Sequence, residues 1–103
     1  MRPIHLAALD KTRPVLVLTR EVAIGRLRTV TVAAITSTIR GLAIEVLVGP
    51  ANGLDHDSVV NLDNVFTVDH QTLGRRVGFL LDSQEGALSE AVMNAFDLDI
   101  LSR

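Results

Sequence analysis

The 103-residue sequence contains no cysteine, no tryptophan and no tyrosine, and only three phenylalanines. Without cysteine, disulfide bonds and zinc-thiolate sites are excluded, and nothing in the composition indicates an oxidising compartment. No apolar run approaches the length needed to cross a membrane, and the residues before Asp10 lack the apolar core of a signal peptide. We therefore expect a cytoplasmic protein with no membrane partner.

Neither sign of charge dominates, because the sequence contains ten Lys and Arg residues and twelve Asp and Glu residues. The two halves differ, however. Residues 1–41 carry seven basic and two acidic groups, whereas residues 42–103 carry three basic and ten acidic groups. A protein that binds long nucleic acid by charge alone would be basic throughout, so the charge pattern disfavours this class. The asymmetry predicts either a local cationic patch or charges that only solvate different faces.

Short apolar runs separated by turn signals make up most of the chain, and such runs are typical of strands. Strands are predicted over residues 4–9, 15–19, 28–35, 41–48, 58–62, 65–68 and 77–81. The pair Asp63-Asn64 separates the fifth predicted strand from the sixth. Helical turns are predicted within residues 20–27 and 70–73.

One stretch near the C-terminus has helical periodicity. Ser83 is the predicted N-cap, and an apolar face recurs at three- and four-residue spacing in Leu88, Val92, Ala95 and Phe96. The predicted fold class is mainly β with helices (α+β): a small, partly open barrel with a C-terminal helix packed on it. At this length the chain is expected to form a single domain over residues 1–103.

Three short hydroxyls, on Thr36, Ser37 and Thr38, come where the third predicted strand leaves the core. A strand that delivers polar groups to its own end can build a site on a rigid element. The same residue types also cluster in turns, where they only bond the backbone. Arg13 precedes the second strand, held in extended geometry by Pro14, and this cation favours a site over a simple turn.

Four blocks together carry a resemblance to a known family: residues 13–18 (RPVLVL), 32–38 (VAAITST), 53–64 (GLDHDSVVNLDN) and 73–78 (LGRRVG). In this order they resemble the MazF/PemK toxins. The resemblance implies an SH3-like barrel, a fold shared with the gyrase poison CcdB. It also implies a homodimeric toxin of a type II toxin-antitoxin system that cuts single-stranded RNA at short motifs without a metal or cofactor, inhibiting translation and growth.

The resemblance also implies roles for three residues in RNA cleavage by the neighbouring 2'-hydroxyl. Arg13 would stabilise charge on the phosphate, and Thr36 would bond the phosphate or orient the sugar. Asp63 matches an acidic residue with an acid/base or binding role in some relatives. The alternatives are a surface arginine beside Asp10, a turn threonine, and an Asx-turn between two strands.

RNA contacts are predicted from the neighbouring polar residues Lys11, Ser37, Thr38 and Arg40. Arg40 is a candidate to bind a flanking phosphate or a base, and its alternative is a solvated loop charge. Arg75 and Arg76 could face RNA, although one of the two must point elsewhere if the chain is extended there.

The histidines are not predicted to be catalytic, because nothing in the spacing of His5, His56 and His70 pairs them. The acidic run Asp55-His56-Asp57 suggests a metal site only superficially. Three adjacent residues cannot readily converge on one ion, so a solvated loop is predicted and no metal is expected.

This chain departs from the family pattern at several positions. The loop ahead of Arg13 is short, Phe66 stands where many relatives carry a basic residue, and Asn61 where one branch has arginine. Fewer cations predict a shallow salt dependence of RNA binding. Phe66 is expected in the core rather than stacked on a base.

Two other functions remain open at this stage. The first is a CcdB-like protein that binds DNA gyrase and has no nuclease activity, which the tryptophan-free end 99–103 disfavours. The second is a catalytically degenerate relative that binds only its antitoxin, which the short loop keeps open.

The partners expected are RNA (messenger, ribosomal or transfer), a cognate antitoxin and a second copy of the chain. Hydrophobic residues make up 48% of the sequence, more than a small barrel can readily hide, so a homodimer interface is expected. Leu98, Ile100 and Leu101 are candidates for it. The antitoxin is expected to lay a partly disordered acidic segment over the cationic groove.

Overall fold

The apolar runs form six strands in the computed structural model, which describes residues 1–98. The strands are β1 (Arg2–Ala8), β2 (Thr12–Val17), β3 (Thr29–Thr36), β4 (Glu45–Val48), β5 (Ser58–Asp69) and β6 (Leu73–Leu80). One α-helix, α1 (Glu85–Ala95), follows them. Single 3₁₀ turns lie at Glu21–Ala23, Pro50–Asn52, His70–Thr72 and Asp82–Gln84. None of the helices formed by these residues is long and apolar enough to cross a membrane.

All six strands belong to one curled antiparallel sheet with the order β4-β5-β3-β2-β1-β6. Alternate residues of β2 point to opposite faces, and both faces are buried. Leu16 packs in a cluster that includes Leu88 of α1, whereas Val15 and Val17 pack in a second cluster with Val32 of β3. A run that is apolar on both faces therefore lies in the interior of the sheet, as its sequence predicted. The prediction of a mainly β, partly open barrel with a C-terminal helix is confirmed.

The open side of the sheet is bridged where the 3₁₀ turn at Pro50–Asn52 meets β6. Gly53 adopts a left-handed backbone conformation (φ 88°), and a β-carbon there would overlap the carbonyl oxygen of Val77. A β-carbon on Gly78 would overlap the carbonyl oxygen of Asn52. Two backbones thus meet where only glycine fits.

The buried side chain of Asn52 secures this contact with three hydrogen bonds of 3.0 Å or shorter. It accepts the N–H of Gly49 (3.0 Å) and donates to the carbonyl of Phe79 (2.8 Å) and to Oε1 of Gln84 (2.6 Å). A buried amide that is fully engaged in this way fixes the position of its backbone. The loop that begins at Gly53 therefore starts from a rigid base.

Three predicted strand limits are wrong. β6 begins at Leu73 and not at residue 77, because its first half pairs with β1. β5 runs unbroken through Asp63 and Asn64, because the pairing with β3 absorbs them as an irregularity: Ala33 pairs with Val65 and the next residue, Ala34, with Asn61. β4 begins only at Glu45. The carboxylate of Glu45 accepts the N–H groups of residues 40–42 at 2.8 to 3.2 Å, which holds the preceding segment in a loop instead of a strand.

The predicted helix start at Ser83 is also wrong. Ser83 lies inside a 3₁₀ turn, and α1 begins after Gln84 with no side-chain cap. Leu88 is buried as predicted, whereas Phe96 is 56% exposed and belongs to no core cluster. Leu98 is 55% exposed. The other residues of the predicted apolar tail, Ile100 and Leu101, lie outside the described residues.

Candidate functional site

A groove of about 560 Å³ opens at one end of the curled sheet. One wall is made by the start of β2 and the end of β3, and the opposite wall by the loop 53–58 and part of β6. Apolar side chains such as Leu6 and Ile35 form part of its lining. Polar groups reach it from both walls: Arg13, Thr36, Ser37, Asp55, His56, Ser58 and Arg75.

Arg13 enters the groove from β2 and has one weak charged partner. Its Nε lies 3.4 Å from Oδ1 of Asp10, and its other guanidinium contact with this carboxylate is equally long. The pKa of Asp10 is lowered, first by the N–H of Lys11 and then by the nearby charge of Arg13. Both side chains are well exposed, and exposed pairs of this kind contribute little. Arg13 therefore lies beside Asp10, as the alternative held, yet remains free to bind an anion.

Thr36 is the last residue of β3 and makes a local turn bond without using up its hydroxyl. Its Oγ1 accepts the N–H of Thr38 at 3.1 Å. A hydroxyl keeps its own proton for donation when it accepts a bond, and no acceptor for that proton lies among residues 1–98. The turn bond fixes the direction of Oγ1, so the O–H of Thr36 can donate into the groove.

The structure separates the four predicted RNA-binding residues. Ser37 is exposed and lines the groove. Thr38 and Arg40 are exposed on the loop that follows β3, and Lys11 is exposed in the turn between β1 and β2. These three are outside the groove lining.

Asp63 is not brought together with Arg13 and Thr36. It is exposed on β5, outside the groove lining. Its N–H donates to Oδ1 of Asn61 at 2.9 Å. A local turn of the Asx type therefore exists here, with Asn61 and not Asp63 as the accepting side chain.

Four polar residues of the groove, Asp55, His56, Ser58 and Arg75, were not among the predicted site residues, although Arg75 was considered able to face RNA. The first two sit on the loop that Gly53 redirects, and a glycine followed by an acidic turn is an ordinary surface-loop signal. The carbonyl of His56 accepts a hydrogen bond from the Oγ–H of the buried Ser58 at 3.2 Å, and this bond ties the loop to the start of β5. Only the closure of the sheet carries this loop to face β2 and β3.

The pair Arg75-Arg76 divides as strand alternation predicts. Arg75 lines the groove. The guanidinium of Arg76 stacks over the ring of Phe79, 4.7 Å from its centroid. Phe66, the aromatic predicted to be in the core, packs against the second hydrophobic cluster.

No group of three His, Cys, Asp or Glu side chains in residues 1–98 is placed to hold a metal ion. The loop Asp55–Asp57 is exposed, and its carboxylates do not converge with the imidazole between them. Two residues of this exposed loop, Asp55 and His56, line the groove.

Comparison with known proteins gives consistent matches. A family model described as PemK-like, MazF-like toxin of type II toxin-antitoxin system matches residues 5–96. The endoribonuclease MazF3 of Mycobacterium tuberculosis is 62% identical over 99 residues, which span 96% of this chain and 96% of that protein. The solved structure of the Mycobacterium tuberculosis toxin MazF-mt6 has a TM-score of 0.92 and 61% identity, covering 95% of this chain and 99% of that one. An endoribonuclease from a mycobacterial species, solved with its cognate antitoxin, shares the fold at a TM-score of 0.83 and 22% identity, with 94% and 93% of the chains covered.

Proposed function

Because this chain belongs to the PemK-like, MazF-like toxins of type II toxin-antitoxin systems, we propose that it is an endoribonuclease toxin that cuts single-stranded RNA in the groove. The observation that carries the proposal is that Arg13 and Thr36, two residues predicted to be catalytic, line one groove. The 62% identity to an endoribonuclease over nearly the whole chain supports the same reaction. The growth inhibition expected of such a toxin would follow from loss of translated RNA.

The proposed reaction is attack of a 2'-hydroxyl on the adjacent phosphate, which needs no metal ion. The negative charge on the phosphate oxygens increases in the transition state. The planar guanidinium of Arg13 can bind two of these oxygens at once, and the hydroxyl of Thr36 can donate to one of them. Arg75 supplies a second cation on the opposite wall, so an RNA strand in the groove would meet positive charge on both sides.

Lys11, Thr38 and Arg40 are proposed to bind the RNA on either side of the cleaved phosphate. They lie close in sequence to the groove residues Arg13 and Ser37, in the turn between β1 and β2 and on the loop that follows β3. Ser37 is proposed to contact RNA inside it. Asp63 stays a proposed acid/base or binding residue on the strength of the resemblance alone.

The relatives described above give no support to the gyrase-binding alternative. A degenerate relative that only binds antitoxin is distinguished by activity, not by fold. The only weakly paired guanidinium of Arg13 and the O–H of Thr36, which has no acceptor among residues 1–98, favour an active enzyme over this alternative.

The proposal includes a cognate antitoxin and a second copy of the chain as partners. An acidic peptide would be attracted to the groove arginines and would exclude RNA by occupying them. Large apolar side chains are exposed at Leu47 (68%), Phe96 (56%) and Leu98 (55%), which supports a homodimer. The proposed location is the cytoplasm, where its RNA substrate is found, and residues 1–103 are proposed to act as one domain.

The test is cleavage of a long, mixed-sequence RNA by the purified protein with EDTA present. The account predicts discrete fragments that carry 5'-hydroxyl ends, and their loss in the Arg13→Ala variant. Arg26→Ala is the matched control, because Arg26 is exposed and lies outside the groove. Intact RNA with a folded wild-type protein would favour the degenerate relative.

A further inference from the structure

Cleavage by a 2'-hydroxyl requires a proton at the leaving oxygen, and the groove contains one side chain suited to supply it. Arginine side chains do not release a proton, and serine and threonine hydroxyls do not ionise near neutral pH. A carboxylate such as that of Asp55 can only accept a proton. Histidine is the side chain that gains and loses a proton in this range, and His56 is the one histidine in the groove lining.

The loop that carries His56 is held at both ends. Gly53 begins it in a left-handed conformation pressed against the backbone of β6, so the loop cannot shift without opening this contact. Ser58 ends it, and its Oγ donates to the carbonyl of His56 at 3.2 Å from a buried position. A proton donor needs this kind of support, because transfer demands a position within hydrogen-bond distance of the leaving atom.

The imidazole of His56 is not used for structure. Within residues 1–98 it has no hydrogen-bond or salt-bridge partner, and its residue is exposed to the groove. His5 differs, because its Nδ1 donates to the carbonyl of Gly74 at 2.9 Å, which joins β1 to β6. His70 lies in a 3₁₀ turn away from the groove. Of the three histidines, His56 alone combines access to the groove with a free ring.

We propose that His56 is a catalytic residue of this chain, the general acid that protonates the 5'-oxygen leaving group. The assignment rests on the proposed ribonuclease function. The 2'-oxygen forms a bond to phosphorus while its proton passes to water in the open groove. The bond from phosphorus to the 5'-oxygen breaks as the imidazolium of His56 donates a proton to that oxygen. The products are a 2',3'-cyclic phosphate and a 5'-hydroxyl, and His56 regains its proton from solvent.

The charges around His56 suit this role. Arg13 of β2 faces it across the groove, whereas Arg75 of β6 lies on its own wall, and both would be engaged by the bound phosphate. On its own loop, Asp55 lines the groove and Asp57 follows it. With RNA bound, the single charge of the phosphate and the carboxylates of Asp55 and Asp57 together outweigh the two arginine charges, so the surroundings of the imidazole carry a net negative charge. The assignment places the acid on the wall opposite Arg13 and Thr36, where a strand lying between the walls would present its leaving oxygen.

The test compares two forms of one single-stranded oligonucleotide that contains a cleavage site mapped on long RNA. One form has the natural 5'-oxygen at the scissile bond, and the other has sulfur in that bridging position. A thiolate leaves without protonation, because thiols ionise at about pH 8.5, far below alcohols. Single-turnover rates with EDTA present are measured for wild type, His56→Ala and the matched control His70→Ala.

We expect His56→Ala to cleave the natural linkage on the order of 100-fold more slowly, as loss of a general acid typically does. The same variant should cleave the sulfur linkage at close to the wild-type rate. The wild-type rate on the natural linkage should also fall at high pH, and this limb should be absent in His56→Ala. His70→Ala should match wild type on both linkages.

Two results would overturn the assignment while leaving the ribonuclease function intact. One is a natural-linkage rate in His56→Ala equal to that of wild type. The other is an equal loss on both linkages, which would mean that His56 binds RNA or shapes the groove without donating a proton. Failure of the wild-type protein to cleave either form would overturn the proposed function, and this assignment with it.

Discussion

Arg13 of β2 and Thr36 of β3 each lie two residues beyond Val15 and Ala34, the pair at which the ladder between these strands ends. Alternate residues of a strand share a face, so Arg13 lies on the face of Val15 and Thr36 on the face of Ala34. Both side chains line the groove. A cation and a hydroxyl are thus presented together by two strands whose neighbouring positions are buried, which is a rigid base for binding one phosphate.

Removal of the Arg13 guanidinium should lower the cleavage rate more than removal of the Thr36 hydroxyl. We expect Arg13→Ala to lower the single-turnover cleavage rate on the order of 100- to 1000-fold, as loss of one transition-state charge donor typically does. Arg13→Lys should recover only part of this, because an ammonium group cannot bind two phosphate oxygens in the same plane. A rate for Arg13→Ala within a few-fold of wild type would show that the guanidinium does not act on the transition state.

Thr36→Ala should lose less, on the order of 10- to 100-fold, the value of one hydrogen bond to a charged group. Thr36→Ser keeps the hydroxyl and should stay close to wild type, and Thr36→Val keeps the shape and should resemble the alanine variant. The comparison separates the hydroxyl of Thr36 from the shape of its side chain. If serine fails as badly as valine, the hydroxyl alone does not account for the role of Thr36.

The Asp63→Asn variant tests whether Asp63 takes part in cleavage. The family resemblance implies that it does, whereas its position outside the groove lining indicates that it does not. The groove geometry predicts that cleavage stays within a few-fold of wild type, because Asp63 is exposed and outside the lining. Since the amide is isosteric and the bond to Asn61 uses the backbone N–H, the fold should be unaffected. A loss comparable to that of Arg13→Ala would instead restore Asp63 to the catalytic site.

Salt should weaken RNA binding only mildly. Each phosphate contact by a cation contributes about 0.7 to the slope of log affinity against log salt for single strands, so Arg13 and Arg75 alone predict a slope of about −1.4. Contacts by Lys11 and Arg40 would steepen it by the same increment each. Anisotropy titrations of an oligonucleotide with a 2'-O-methyl group at the cleavage site measure the slope. A slope that does not change in Arg40→Ala or Lys11→Ala would remove that residue from the interface.

The contact between the two backbones at Gly78 should be intolerant of a side chain. We expect Gly78→Ala to destabilise the fold by about 1 to 3 kcal/mol, because its β-carbon would overlap the carbonyl of Asn52 and the backbones must separate. Gly86→Ala is the matched control: no atom lies within 4 Å of the added carbon, and alanine in a helix should add up to about 1 kcal/mol. Urea denaturation midpoints of the two variants should therefore move in opposite directions.

Much of the fold could be predicted because it follows from local periodicity. The doubly apolar run at residues 15–17 identified an interior strand, and the spacing of Leu88 and Val92 identified the helix. Features that depend on tertiary contacts could not be predicted from local periodicity. The continuity of β5 through Asp63 is one of these, since the irregular register with β3 overrides an ordinary turn signal.

The residues of the candidate site also differ in whether local sequence or a tertiary contact places them there. Arg13 and Thr36 could be found because each sits at a strand end within a family motif. His56 could not, because its sequence context describes only a surface loop. It reaches the groove through the contact of Gly53 with β6, a relationship between residues far apart in the chain.

The central claim is that Arg13 and Thr36 act on the same phosphate, and a double-mutant cycle on the single-turnover cleavage rate tests it most directly. Rates are measured for wild type, Arg13→Ala, Thr36→Ala and the double variant, on one oligonucleotide with EDTA present. Groups that act on one transition state are coupled, so we expect the double variant to be clearly faster than the product of the two separate losses implies. Two losses that simply multiply would contradict the claim, because they would mean that the arginine and the threonine act independently.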